Sequence, residues 1–321
     1  MKRKVDRRCF LTTATVAGAS LLRFSQSADC APRPERRNAI PIVDTHQHIW
    51  DLSKFKLAWQ ANEEYRPLAR NFLLKDYAKA TEGLDVVKTV YMEVDVPVEQ
   101  QSAEAEYVIE LCKQTDNRVV AAVISGRPST DLFEPYVQRF AKSPYIKGVR
   151  DILWGKDPDY FLGRQYLQGI RLLGDLGMRF DIEIQSSGLP AAAKLIKACP
   201  ATRFIIDHCG NPDMKSEDIS TWRRDVGVIA KHENVVVKIS GLLSNVKDES
   251  WKPEDLAPVI NHLWEVFGTD RVMFGSDWPV CTLKGSYRRW FDAVQTVVGD
   301  RSEADQRRLF HDNALRVYQL T

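Results

Sequence analysis

The sequence predicts a single (β/α)8 barrel, in which eight parallel strands form a ring inside a layer of helices. Three observations indicate this fold: eight short runs rich in Val, Ile and Phe, segments of helical spacing between them, and polar residues at the carboxyl end of most runs. A doubly wound open sheet is the alternative. No strand is followed by the Gly-x-Gly-x-x-Gly fingerprint of a dinucleotide site, so we predict neither that cofactor nor a second domain.

Residues 1–30 predict an export signal rather than a part of the fold. Their start is basic, a mildly apolar run covers residues 10–22, and small residues follow it. Arg7 and Arg8 resemble the paired arginines of bacterial twin-arginine signals, and the apolar run is too short for a permanent membrane span. We expect cleavage and a location in the bacterial periplasm or another extracytoplasmic compartment. An uncleaved amphipathic tail is the alternative.

The rest of the chain is predicted to hold a linker at residues 31–39 and the barrel at residues 40–321. An apolar content of 44%, a charged content of 27% and a net charge of +2 are ordinary for a globular protein. Because the basic residues at the start belong to the signal, no positive patch predicts nucleic acid as a partner. We expect a small-molecule substrate and no membrane association after cleavage, and a homo-oligomer stays open.

The elements follow from hydrophobic periodicity. Strands buried on both faces need continuous apolar runs, and breakers such as Gly177, Pro200 and Gly268 end the helical segments. The predicted strands are residues 40–48, 89–96, 118–125, 145–153, 178–185, 203–210, 234–241 and 271–278. The predicted helices are residues 99–115, 133–142, 164–176, 190–198, 222–232, 254–267 and 286–298, with an extra C-terminal helix at 302–320 on the barrel exterior.

Two histidines at the end of the first strand are the starting point for function. Side chains at alternate positions of a strand share one side, so Asp44, His46 and His48 are expected to lie together. Two imidazoles there can reach one ion, and nitrogen ligands suit zinc and its neighbours. We predict His46 and His48 as metal ligands. Solvated histidines at a polar strand end are the alternative.

The fold prediction explains why polar residues gather at the ends of the other strands. Active sites of (β/α)8 barrels lie at the carboxyl ends of the strands. His208 follows a buried apolar run, and Asp277 lies in a turn that directs its carboxylate over the barrel mouth. A core histidine and a helix-capping aspartate are the respective alternatives. The polar residues at strand ends are Glu93, Asp95, Arg150, Asp151, Glu183, Gln185, Asp207, His208, Lys238, Ser240, Ser276 and Asp277.

Three more residues are predicted to contact the substrate. Arg150 has a planar guanidinium that suits a carboxylate or hydroxyl group, or it pairs with Asp151 or Glu183. Glu183 shares one face of its strand with Asp181 and Gln185, but the alternation does not say whether this face is the lumen. Trp50 follows the first strand, where it lines a pocket or fills the core.

Several motifs together resemble the amidohydrolase superfamily, in particular its branch of sugar-acid and dicarboxylate lactonases. The resemblance extends from about residue 40 to residue 320, and no single motif would carry it alone. The motifs are IVDTHQHIW at 42–50, GVR at 148–150, IDHCG at 206–210, KISGL at 238–242 and FGSDWP at 274–279, with Asn313, Ala314, Arg316, Val317 and Tyr318 near the end.

The resemblance implies roles for individual residues. His46 and His48 would be metal ligands, His208 would bind the metal or polarise the substrate carbonyl, and Asp277 would be a general acid/base that also contacts the metal. The strand-four lysine that bridges two metals elsewhere in the superfamily is absent, and so is the strand-five histidine. We therefore expect one divalent ion, with zinc as the first candidate.

The predicted reaction is hydrolysis of a lactone, or of another ester or amide, by water. A divalent ion would activate the water, Asp277 would take the proton and return it, and His208 or Arg150 would stabilise the oxyanion. Without a metal, His46, His48 and Arg150 would supply that charge. The alternatives are a non-oxidative decarboxylase of the same superfamily and an inactive exported binding protein, against which Asp277 argues.

Overall fold

The computed structural model describes residues 40–321. The predicted export signal at residues 1–30 and the linker at residues 31–39 lie outside the described residues and stay predictions. Within residues 40–321, no helix has the length and apolar character needed to cross a membrane. The cysteines of this range are buried and unpaired; they are Cys112, Cys199, Cys209 and Cys281.

The predicted barrel is confirmed, because eight strands form one parallel sheet in which each strand pairs with the next along the chain. Backbone bonds also join the first strand to the loop after the last. The Asp277 amide donates to the His46 carbonyl, and the His48 amide donates to the Trp278 carbonyl, both at 2.8 Å. The strands are β1 (Ile42–Gln47), β2 (Val86–Met92), β3 (Val119–Ser125), β4 (Ile146–Ile152), β5 (Arg179–Glu183), β6 (Arg203–Ile206), β7 (Val235–Ile239) and β8 (Val272–Phe274).

Helices cover the outside of this ring. Side-chain caps set several of their starts: Ser286 accepts from the Arg289 amide, and Asp157 accepts from the Asp159 amide, with Pro158 in the first turn. The helices are α1 (Leu74–Ala80), α2 (Gln101–Lys113), α3 (Phe133–Phe140), α4 (Pro158–Leu162), α5 (Arg164–Asp175), α6 (Leu189–Ala198), α7 (Ser220–Ala230), α8 (Leu242–Asn245), α9 (Pro253–Phe267), α10 (Tyr287–Val297), α11 (Glu303–Arg307) and α12 (Asn313–Tyr318).

Three predicted strands differ from the observed ones by three residues or more at one or both ends. β2 lies three residues earlier than predicted, so Glu93 and Asp95 follow the strand. β6 and β8 end four residues early, because His208 and Asp277 have positive φ angles of 51° and 56°. A left-handed residue cannot continue a strand.

The prediction that the C-terminal helix packs on the barrel exterior is wrong. The segment consists of α11, a π-helical turn at Arg308–Asp312, and α12. Ala314, Val317 and Tyr318 pack against strand side chains that point into the barrel, among them Val43, Val90, Ala121, Ile205 and Met273. Burying these apolar groups removes the amino-terminal end of the barrel interior from water, so the segment forms the floor of the barrel.

Candidate active site

A cavity of about 450 Å³ opens at the carboxyl ends of the strands. Six predicted site residues line it: His48, Trp50, Arg150, Glu183, His208 and Asp277. The seventh, His46, is buried beneath them, with its ring centroid 4.9 Å from that of His48 and 4.4 Å from that of His208. The structure therefore brings all seven to one place. Their chemical roles stay predictions.

Two glycines allow the loops after β7 and β8 to pack closely against the site histidines. A Cβ at Gly241 would lie 2.3 Å from the His208 ring, and one at Gly275 would lie 2.8 Å from the His46 Cβ. Both distances are far below a normal contact, so a larger residue at either position would displace a histidine. Gly241 also has a φ of 64°, which glycine adopts without strain.

His46, His48 and Asp277 form a group that fits a divalent ion. One ligand atom from each lies within 4.8 Å of the others. Asp277 Oδ1 is 3.5 Å from His48 Nε2 and 3.8 Å from His46 Nε2. His48 Nδ1 donates to the Met92 carbonyl at 3.0 Å, which leaves its Nε2 lone pair for a ligand. Two imidazoles and a carboxylate are a donor set that zinc accepts.

His208 lies beside this group rather than in it. Its Nε2 is 3.9 Å from Asp277 Oδ1 and 3.4 Å from Glu183 Oε2, and its Nδ1 is 3.0 Å from Ser240 Oγ. The ring therefore connects two carboxylates at the edge of the cavity. This position suits the predicted contact with a substrate carbonyl.

Strand alternation predicted that Asp44 lies on the same side of β1 as His46 and His48, and this prediction is wrong. Its carboxylate accepts from Tyr77 Oη and from the Ser276 amide, both at 2.8 Å. The pairing register of β1 with β2 is irregular between Asp44 and Gln47, and this irregularity breaks the alternation. Asp44 therefore anchors the β8 loop behind the site.

Burial controls the charges of the site. It raises the pKa of Asp277 to about 6. It also raises the pKa of Glu183 to about 8, and the negative charge of Asp207 adds to this second shift. Burial and the charge of Arg150 lower the pKa of His48 to about 3, so this imidazole is neutral at pH 7. Neutral imidazole is the form that binds a metal. Asp277 is mostly ionised at the same pH.

Arg150 pairs with Glu93 rather than with Asp151 or Glu183, the partners considered from the sequence. Its Nε donates to Glu93 Oε1 at 2.6 Å, and its Nη2 donates to the Glu93 carbonyl at 2.9 Å. Its Nη1 is 3.4 Å from His46 Nε2. Most of the guanidinium is therefore occupied by the protein, and only its edge borders the cavity.

Several lining residues were not predicted. Trp59, Glu64 and Tyr65 lie on two 3-10 segments, Ala58–Ala61 and Glu63–Leu68, in a stretch without clear periodicity. No sequence signal identified them. The remaining lining residues that were not predicted to contact substrate include Asp95, Trp154, Asn211, Lys215, Ser244 and Asn245.

Comparisons with known proteins show the family and the fold of the chain. A family model described as amidohydrolase matches residues 43–320. An L-fucono-1,5-lactonase of Burkholderia ambifaria is 26% identical, over 87% of this chain and 95% of the relative. An L-rhamnono-gamma-lactonase of Scheffersomyces stipitis is 22% identical, over 87% of this chain and 98% of the relative. The crystal structure of a Burkholderia multivorans amidohydrolase with bound zinc superposes with a TM-score of 0.79 at 23% identity, over 88% of this chain and all 100% of that chain, which shows a shared fold.

Proposed function

The chain belongs to the amidohydrolase family of hydrolases, and we propose that it opens the ring ester of a sugar-acid lactone. The observation that carries this proposal is the position of Asp277, a carboxylate at the cavity 3.5 Å from His48 Nε2 and 3.8 Å from His46 Nε2. A base beside a metal-type donor set is what ester hydrolysis by water needs. The lactonases among the relatives support the same reaction class.

The charge of the cavity favours a neutral lactone over a dicarboxylate. Carboxylates line it from Glu64, Asp95 and Asp277, while Glu183 is mostly protonated at pH 7 because of its raised pKa. Arg150 is already paired with Glu93. Among the described lining residues, Lys215 is then the positive side chain that can pair with a substrate carboxylate. A second carboxylate on the substrate would meet repulsion from several sides.

The walls of the cavity also suit a sugar-derived ring. Trp59, Tyr65 and Trp154 line the cavity and can pack against the apolar C–H groups of such a ring. Asn211 Nδ2 donates to Glu183 Oε1 at 3.1 Å, while Glu183 Oε2 has no hydrogen-bond partner in the structure. Because the pKa of Glu183 is raised to about 8, we propose that this oxygen carries the proton at pH 7 and donates to an oxygen of the substrate.

His46, His48 and Asp277 are the residues that would hold a divalent ion. When bound, such an ion polarises an ester carbonyl and lowers the pKa of water from 15.7 toward about 7. Zinc is the first candidate because of the two imidazole nitrogens.

The residues of the chain carry the proton transfers. The Asp277 carboxylate accepts a proton from the water that attacks the lactone carbonyl, and it returns that proton to the ring oxygen when the C–O bond breaks. The product is the open hydroxy acid. Ser240 Oγ can donate to His208 Nδ1, so that Nε2–H of His208 faces the cavity and donates to the oxyanion.

A substrate panel tests the proposal. We expect lactones of neutral sugar acids to be hydrolysed, with one proton released per ring opened, as a pH indicator would report. Dicarboxylate lactones should react more slowly. Release of CO₂ from aromatic acids would indicate a decarboxylase instead, and binding without turnover would indicate a binding protein.

A further inference from the structure

A buried group of charges lies beneath His46 and has no part in the reaction proposed above. Lys238 is on β7, Asp181 is on β5 and Asp207 follows β6, and all three side chains are fully buried. Lys238 Nζ is 2.6 Å from Asp181 Oδ2 and 2.9 Å from Asp207 Oδ1. Burying charges is unfavourable unless they are paired, so their place below a site histidine requires an explanation.

Each ring nitrogen of His46 faces one cation and one carboxylate. Nδ1 is 3.4 Å from Lys238 Nζ and 3.5 Å from Asp207 Oδ1. Nε2 is 3.4 Å from Arg150 Nη1 and 3.8 Å from Asp277 Oδ1. A neutral imidazole has one N–H and one lone pair, and Lys and Arg can only donate. The tautomer of His46 therefore depends on which carboxylate receives its N–H.

The burial of the two carboxylates decides between them. Asp207 is fully buried, and neither of its oxygens accepts a well-directed hydrogen bond in the structure, although Lys238 and Arg150 lie near. Asp277 borders the cavity, where water or substrate can donate to it. Because a buried carboxylate cannot turn to water for further donors, the N–H is more valuable at Asp207.

We propose that Asp207, with Lys238 as its buried counter-ion, is a positioning residue that fixes His46 as the Nδ1–H tautomer. The Nε2 lone pair then points to the side of Asp277, His48 and the cavity, as a metal ligand requires. The consequence for catalysis rests on the proposed function, but the tautomer itself does not. Lys238 holds the Asp207 carboxylate in place and cannot accept the proton.

The test uses the full chain labelled with ¹⁵N-histidine. Long-range ¹H–¹⁵N spectra report which nitrogen of each of the six histidines carries the proton, and the His46 signal is assigned by its loss in His46→Gln. We expect protonation at Nδ1 in the wild type. In Asp207→Asn the amide donates to Nδ1, so the proton should move to Nε2. Protonation at Nε2 in the wild type would overturn the proposal, whether or not the variant folds.

Zinc binding provides a second readout of the same variant. Titration of Zn²⁺ against a fluorescent chelator should show a loss of about 10–100-fold in affinity for Asp207→Asn. On a lactone substrate, kcat should fall by about tenfold or more, while KM changes by less than about threefold. Unchanged zinc affinity with Nδ1 still protonated would also reject the inference.

Asp151→Asn is the matched control. Asp151 is as buried as Asp207 and is 3.3 Å from Arg127, but it does not contact His46. We expect Asp151→Asn to lower the melting temperature but to keep the tautomer of His46 and the zinc affinity of the wild type. Since the spectra and the zinc titration need no substrate, a protein that hydrolyses no lactone but shows the expected tautomer would reject only the proposed function.

Discussion

Asp277 is the residue on which the proposed reaction depends most. Its positive φ of 56° and the bond from its amide to the His46 carbonyl hold the carboxylate beside both histidines. Such a conformation is uncommon for a residue other than glycine, and it persists only where the surrounding structure requires it. The same turn that ends the strand early therefore places the base.

Asp277→Asn tests the acid/base role. Asn has nearly the same shape but cannot accept a proton, so turnover on a lactone should fall by about 10² or more, while substrate binding changes little. Steady-state kinetics measure the first effect, and ligand titration measures the second.

The zinc content of the same sample must be determined, because Asp277 would also hold the ion. Near-wild-type turnover with the ion retained would show that the assignment is wrong. His208, 3.9 Å from Asp277, would then be the next candidate base.

The two 3-10 segments between β1 and α1 form one wall of the cavity. Trp59 Nε1 donates to the Val94 carbonyl at 2.9 Å, and the Trp59 ring lies edge-to-face on Trp50 and on Tyr65. Asn62 accepts from the Glu64 amide and caps the second segment. The wall is therefore attached to the barrel at Trp59, and its contribution should be to substrate binding rather than to chemistry.

Trp59→Leu should raise KM for a lactone by about tenfold and change kcat by less than about threefold. The reason is the loss of ring area that covers the substrate, for which about 1.4 kcal/mol corresponds to tenfold in binding. Trp59→Phe keeps a ring but loses the hydrogen bond to the Val94 carbonyl, so its KM should lie between those of the wild type and Trp59→Leu. Leu132→Ala is a surface control, since Leu132 is 72% exposed and does not line the cavity. A fall in kcat with unchanged KM would place this wall in the catalytic step instead.

The molecule as a whole contains many buried acids, and they affect its stability against pH. Glu104 on α2 is one that lies away from the metal-type group. Its Oε1 accepts from the Val94 amide and from Tyr91 Oη, while Oε2 has no partner. Burial, with the charge of Glu93, raises its pKa to about 8. The folded state therefore holds a proton that the unfolded state releases near its ordinary pKa of about 4.5.

Glu104→Gln should reduce the pH dependence of the free energy of unfolding. In the wild type, the stability linked to Glu104 is fully present below about pH 4.5 and is lost as the pH rises through about 8, because the folded state binds more protons in this window. Each unit of pKa difference corresponds to about 1.4 kcal/mol. Urea unfolding at intervals between pH 5 and 8.5 measures the slope for both proteins.

Glu110→Gln provides the comparison for this experiment. Glu110 lies on the same helix, and its side chain is exposed and paired with Lys113. Its replacement should leave the slope as in the wild type. An equal slope in the Glu104 variant and the wild type would mean that Glu104 is ionised in the folded protein at neutral pH.

From sequence alone, the barrel, its chain order and the end of the barrel that holds the site could be predicted. Parallel strands buried on both faces have apolar runs that are visible in the sequence, and the fold places their carboxyl ends together. The seven predicted site residues meet at the cavity for this reason. Lys238 was named from the sequence only as a polar residue at a strand end, and its burial beneath the site is a finding of the structure.

Only the tertiary structure decided how those side chains are paired. Alternation along a strand cannot show the register irregularity that turns Asp44 away from the histidines, nor that Glu93 rather than Asp151 binds Arg150. The C-terminal segment was predicted as an exterior helix, whereas Tyr318 lies in the barrel floor with its Oη 3.3 Å from Asp181 Oδ2. Periodicity describes one element at a time, whereas charge pairing and closure of the core depend on contacts between residues far apart in the chain.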